Sequence, residues 1–222
     1  NNLKEKEARY ELVKTMRASI LVLGPLVAKY GEARIALPGG CAIGSRPVNY
    51  HLDALEQLGA TITLENGYIA ASAKKLIGSK IKFDGITVTG TENIMMAACL
   101  AEGTTTLTNV AKEPEIIDLA EFLNKMGAKI SGAGSDEITI EGVERLYGTD
   151  HSIPADRIEA GTYLVAAAVT NGEIKINGIN PNRLIKVLDK LIETGAKVET
   201  SEDSISLIMN KDKPKPVDIT TA

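Results

Sequence analysis

Apolar positions along this chain follow two alternating periods. Between residues 51 and 64, Leu52, Leu55 and Leu58 fall at i, i+3 and i+6, one face of a helix. Gly59 follows where a left-handed C-terminal cap favours glycine. The pattern then becomes that of a strand at Thr61-Ile62-Thr63-Leu64. The same switch occurs twice more. Leu119 to Met126 passes through Gly127-Ala128 into Lys129-Ile130, and Val187 to Thr194 passes through Gly195-Ala196 into Lys197-Val198. Glycines 59, 127 and 195 are separated by 68 residues in both intervals. Equal spacing without gaps marks an internal repeat, and the repeat sets the architecture.

Each unit contains more. Turns at Glu65-Asn66-Gly67, Gly132-Ala133-Gly134 and Glu202-Asp203 predict returning strands at 68–70, 137–140 and 204–208. A first helix precedes each of these segments: Met16 to Tyr30, Ile94 to Glu102, and Thr162 to Asn171, each followed by glycine. These helices are apolar nearly all round, which predicts burial. First strands follow at 33–37, 105–108 and 173–176. The repeat therefore reads helix, strand, loop, helix, strand, turn, strand. The fold class is α/β (α+β), with helices packed inside against sheets outside. His151-Ser152-Ile153-Pro154-Ala155 has no periodicity and reads as a linker, which predicts domains at 1–154 and 155–222.

Composition removes several function classes. The chain has 222 residues, 44% apolar and 24% charged, which is ordinary for a globular protein. Its longest apolar stretch, near Ile20 to Ala28, is too short to span a bilayer, so no membrane partner is expected. The net charge of −4 and 4% aromatic content without Trp give no footprint for nucleic acid. Two cysteines cannot form a disulfide framework, and no secretory signal opens the chain. A reducing cytoplasm is the expected compartment. The start at Asn1-Asn2-Leu3 without Met suggests a piece of something longer.

The loop after the first strand breaks the repeat. Units two and three carry Asn109 to Glu115 and Asn177 to Pro181 there. Unit one carries Pro38-Gly39-Gly40-Cys41-Ala42-Ile43-Gly44-Ser45-Arg46-Pro47, longer and richer in glycine. Departures from an internal pattern are where function tends to sit. Arg46 and Arg17 can clamp a phosphate or carboxylate. The helix beginning near Val48 offers free N–H groups to an anion. A cationic setting lowers a thiol pKa and would make Cys41 reactive. A cysteine phosphatase is excluded by spacing, since the residue six beyond Cys41 is Pro47. A Cys–His hydrolase lacks an evident orienting partner for either histidine.

Other candidates have plainer readings. Cys99 sits in an apolar helix as a small hydrophobe. His51 reads as a surface or capping residue. Asp156 reads as an N-cap before Arg157 and Glu159. Two cysteines and two histidines offer no metal-ligand spacing.

The loop from Leu37 to Val48 resembles the catalytic loop of the UDP-N-acetylglucosamine 1-carboxyvinyltransferase (enolpyruvyl transferase) family. Further blocks agree in order: Lys14-Thr15-Met16-Arg17, Leu100 to Thr105, Glu113-Pro114-Glu115-Ile116, Ile140 to Glu144, and Asp156 to Thr162. The resemblance implies two inside-out α/β barrel lobes built from such repeats. It implies transfer of the enolpyruvyl group of phosphoenolpyruvate to the 3-hydroxyl of UDP-N-acetylglucosamine, with release of phosphate. This is the first committed step of peptidoglycan synthesis in the bacterial cytoplasm. It implies small-molecule substrates and no metal or organic cofactor.

By motif, Cys41 matches the acid that fosfomycin alkylates, and Arg46 matches the arginine on the phosphoenolpyruvate phosphate. Arg17 matches a support of the sugar-nucleotide site. Pro47, Val48, Asn49 and Tyr50 match the stretch against uridine, and Thr87, Val88 and Thr89 match the diphosphate segment. Asp156 and Glu159 match acidic residues at the hinge and cleft. Asn49 stands where the family usually has Asp, Lys112 where it has Arg, and Gly85 where some members place Lys. Family members are about twice this long, as two full lobes require. The chain is thus expected to be a fragment, inactive alone, with an exposed apolar face that favours self-association. A shikimate-pathway type of enolpyruvyl transferase and a non-catalytic nucleotide-sugar-binding module are the alternatives.

Overall fold

In the computed structural model, residues 5–37, 48–209 and 214–220 are described. The chain divides into two compact units, 1–151 and 152–222.

The first unit holds two sheets around a shared core. Its elements begin with β1 (Glu7–Ala8) and α1 (Tyr10–Val13). A 3-10 helix (Arg17–Val22) then runs into α2 (Leu23–Tyr30). Next come β2 (Glu32–Ala36), α3 (Asn49–Gln57), β3 (Thr61–Glu65) and β4 (Tyr68–Ser72). The second half contains β5 (Lys80–Lys82), α4 (Val88–Ala98), β6 (Thr104–Thr108), α5 (Pro114–Lys125), β7 (Lys129–Ser131) and β8 (Glu137–Glu141). Both sheets have the same topology, β1-β2-β4-β3 and β5-β6-β8-β7. In each, the first pair is parallel and the others antiparallel.

The second unit has α6 (Arg157–Val169), β9 (Glu173–Asn177), a 3-10 turn (Pro181–Arg183), α7 (Ile185–Glu193), β10 (Lys197–Thr200) and β11 (Ser204–Ile208). Its sheet is β10-β11-β9, all antiparallel.

Local chemistry explains the repeat. Glycines 59, 127 and 195 all take positive φ, between 91° and 103°, just after the apolar helices end. Residues with a Cβ avoid that region. The strands alternate, so β8 turns Ile138 and Ile140 into the core and pairs Ile138 with Leu107 of β6. Between the sheets lie Leu23, Leu55, Leu58, Ile94 and Met95, all fully buried. Burying such side chains contributes about 1.5–3 kcal/mol each.

Three expectations change. The first helix is not uniform from Met16. Pro25 lacks an N–H and crowds the preceding turn, so an α-helix runs only from Leu23, after the 3-10 segment. The helix of the second repeat begins at Val88, not Ile94. Finally, α6 is not buried all round. It covers Ala160, Leu164 and Ala168 but leaves Tyr163, Val165 and Val169 exposed. One helix face is all that a single three-stranded sheet can cover.

Candidate functional site

The start of α4 is set by a cap. Thr87 is extended, and its hydroxyl accepts from the N–H of Gly90 at 3.1 Å. Its carbonyl accepts from the Thr91 N–H at 3.0 Å and the Thr91 hydroxyl at 2.7 Å. The N–H groups of Val88 and Thr89 have no intrahelical acceptor by position, and the helix dipole places positive potential there.

Helix α3 packs against α4 at this end. His51 lies 2% exposed on α3. Its Nε2 is 3.3 Å from the Thr89 hydroxyl, and its Nδ1 is 3.0 Å from Nδ2 of Asn93. Asn93 is fully buried. Its Oδ1 accepts from the Gly24 N–H at 2.8 Å, and its Nδ2 donates to the Ile20 carbonyl at 3.1 Å. Glycine is required at 24, because a Cβ there would come within 2.6 Å of the Asn93 carbonyl oxygen. Burial pushes the His51 pKa down to about 4, and the positive charge of Arg17 adds to the shift. The imidazole is therefore neutral at pH 7.

Arg17 opens the 3-10 helix and is half-buried. Among the described residues no carboxylate pairs with it. Val48 is the N-cap of α3, with Asn49 and Tyr50 in its first turn. Tyr50 lies against Gly85, where a Cβ would be 2.7 Å from its hydroxyl oxygen. The missing side chain at 85 thus makes room for Tyr50. Tyr50 also lines a recess of about 70 Å³ with Asp53, Gln57, Phe83 and Asp84. A larger groove of about 390 Å³, on the first sheet beside Glu7 and Arg34, holds none of the expected site residues.

The structure therefore brings α3, one residue past the expected block 48–50, against the expected block 87–89 through His51 and Thr89, with Arg17 in electrostatic reach of His51. The combination is a guanidinium with no carboxylate partner among the described residues, a helix N-terminus and threonine hydroxyls, which suits an anion. Cys41, Arg46 and Pro47 lie outside the described residues. Asp156 and Glu159 belong to the second unit. Asp156 caps α6, accepting from the N–H groups of Ile158 at 2.8 Å and Glu159 at 3.1 Å, and both acids are exposed.

Cys99 is buried and donates to the Met95 carbonyl at 3.2 Å, and burial pushes its thiol up to about 12. It is unreactive at neutral pH. His151 has an orienting partner after all: its Nε2 is 3.2 Å from Asp118, and its ring rests on Phe122 at 4.9 Å. Among the described residues no group of three or more His, Cys, Asp or Glu is placed to hold a metal, and no helix is long and apolar enough to cross a membrane.

Sequence reasoning missed His51 and Asn93. A signal existed for each. His51 falls on the stripe of Leu55 and Leu58, and Asn93 interrupts an otherwise apolar run before Ile94-Met95-Met96.

The family model for EPSP synthase (3-phosphoshikimate 1-carboxyvinyltransferase) matches residues 1–222. The chain belongs to the EPSP synthase family. Within the EPSP synthase family, a UDP-N-acetylglucosamine 1-carboxyvinyltransferase of Hydrogenovibrio crunogenus is 57% identical over 221 residues, covering 100% of this chain and 53% of the relative. A protein of the same name from Ruthia magnifica is 60% identical over 222 residues, again covering 100% and 53%. The chain spans about half the length of these curated relatives.

Solved structures agree on the fold. The enolpyruvyl transferase NikO from Streptomyces tendae superposes with a TM-score of 0.80 at 24% identity, over 96% of this chain and 52% of that one. An EPSP synthase from Acinetobacter baumannii gives 0.62 at 21% identity, over 88% and 46%. The helix-and-sheet repeat read from the sequence is thus that of an EPSP synthase-like fold.

Proposed function

We propose that this chain is part of an enzyme that moves the enolpyruvyl group of phosphoenolpyruvate to the 3-hydroxyl of UDP-N-acetylglucosamine. The products are the enolpyruvyl sugar nucleotide and inorganic phosphate. The observation that carries this reading is that relatives at 57–60% identity along the whole chain bear that name. The site chemistry supports it. Both substrates are multiply anionic, and Arg17 with the N-terminus of α4 offers positive potential and N–H donors where a diphosphate would sit.

In this reading Val48, Asn49, Tyr50 and Pro47 face the uridine, and Thr87, Val88 and Thr89 hold the diphosphate. Cys41 is the acid toward phosphoenolpyruvate, and Arg46 binds its phosphate. Asp156 and Glu159 are further substrate-binding residues. The units 1–151 and 152–222 are then most of one lobe and one repeat of another. No metal or organic cofactor enters the reaction, and the cytoplasm is its compartment.

The test is intact-protein mass spectrometry before and after fosfomycin, with UDP-N-acetylglucosamine present. A single adduct mapping to Cys41 is expected. In a full-length protein, no adduct would overturn the assignment of Cys41. Calorimetry separates the shikimate-type alternative, which requires binding of shikimate 3-phosphate in place of the sugar nucleotide. The 222-residue chain by itself is expected to show no turnover.

A further inference from the structure

We propose that His51 is a positioning residue for the sugar-nucleotide diphosphate, acting by fixing the Thr89 hydroxyl as a hydrogen-bond donor. This rests on the reading of 87–89 as the diphosphate segment and concerns how that segment is prepared.

The argument is one of hydrogen-bond polarity and starts at Asn93. An Asn amide can be oriented either way, and its partners decide. Here Oδ1 faces the N–H of Gly24 and Nδ2 faces the carbonyl of Ile20, both backbone groups of fixed polarity. The amide is therefore locked with its NH₂ toward Nδ1 of His51, 3.0 Å away. Nδ1 must accept. A neutral imidazole that accepts at Nδ1 carries its proton on Nε2. Nε2 then donates to the Thr89 oxygen at 3.3 Å.

Thr89 stands in the first turn of α4 and is half-buried, beside the N–H groups that the helix leaves free. With a lone pair engaged by His51, its proton turns elsewhere, and among the described residues no acceptor takes it. It thus points a donor in company with the Val88 and Thr89 N–H groups. A phosphate oxygen, which only accepts, fits that arrangement. The reverse tautomer would claim the Thr89 proton and turn a lone pair toward the anion. His51 and Asn93, neither of which needs to touch the ligand, therefore decide the sign of the contact.

Two measurements test this. The first is the imidazole ¹⁵N spectrum of the unliganded chain. It should show Nε2 protonated and Nδ1 bare, and a protonated Nδ1 overturns the inference whatever the ligand does. The second is calorimetric binding of UDP-N-acetylglucosamine to the full-length protein. Thr89→Val should weaken binding about tenfold or more, the usual size of a hydrogen bond to a charged group, and Thr89→Ser should restore it.

His51→Met should weaken binding by a similar factor in the natural background and add nothing once Thr89 is Val. His51→Gln, which keeps an N–H near the Nε2 position, should recover part of the loss. Equal losses from His51→Met in both backgrounds would mean a merely structural role and overturn the inference. Full affinity in Thr89→Val would overturn it while leaving the function intact. Failure of the unsubstituted protein to bind the nucleotide would remove the functional reading and this inference with it.

Discussion

His51 is held neutral inside the core, and that has a pH signature. Its folded pKa, about 4, lies below the ordinary value of 6.5. The unfolded chain takes up a proton as pH falls through 6.5, and the folded chain resists until about 4. Stability from this residue is therefore present above pH 6.5 and is lost as pH falls toward 4. The full loss is about 3 kcal/mol. Denaturant melts at pH 7 and pH 4.5 should show it, and His51→Gln should flatten the slope between them.

Gly24 is the other sensitive residue here. Gly24→Ala places a methyl group against the Asn93 carbonyl and amide. Overpacking of this kind costs about 1–3 kcal/mol, read from the denaturation midpoint. Of these residues the sequence showed little. His51 reads as a surface residue until the stripe through Leu55 and Leu58 is extended back by one turn. Gly24 looks like an ordinary helix interruption beside Pro25, and its purpose depends on a partner 69 positions away. Long-range pairing of that kind leaves no local trace.

Elements were legible where they carry a strong period or a turn residue. The hairpin at Asn66-Gly67, both at positive φ, and the glycines that end α3, α5 and α7 stand where the pattern puts them. Two failures have physical causes. Strands β1 and β5 are two and three residues long and exist through parallel pairing with β2 and β6, so no alternation can announce them. The first turns of α4 run through Thr89, Gly90, Thr91 and Asn93, all poor helix formers. Burial and the Thr87 cap hold them helical. Thr87→Ala should therefore cost about 1 kcal/mol in stability. Unlike a distant destabilising change, it should also weaken nucleotide binding at temperatures where the protein remains fully folded. Calorimetry beside a thermal melt separates the two effects.

At the scale of the whole molecule, the repeat places equivalent parts in both units, but their helices fare differently. Helix α4 is enclosed by its neighbours in the first unit, whereas α6 keeps Tyr163, Val165 and Val169 open. We expect this polypeptide, prepared alone, to self-associate in a concentration-dependent way in sedimentation, and Val165→Lys with Val169→Lys to reduce it.

The glycine-rich loop at 38–47 is the reverse case. It was the clearest functional signal in the sequence, through Cys41 and Arg46, and the described structure adds nothing to it. What the structure supplies is the start of α3 and of α4, where His51 meets Thr89 and feels the charge of Arg17.

That meeting has a kinetic side. The bonds that orient His51 and Thr89 join residues 38, 42, 69 and 73 positions apart in the chain. None can close while a single hairpin or helix forms by itself, because each waits on a loop closure of that span. The orientation of the Thr89 hydroxyl is thus a late product of folding. A compact state with its helices formed but its packing loose would lack it. On the proposed function, nucleotide affinity should then be a gauge of completed assembly, recovered in refolding only after the last long-range contacts are made.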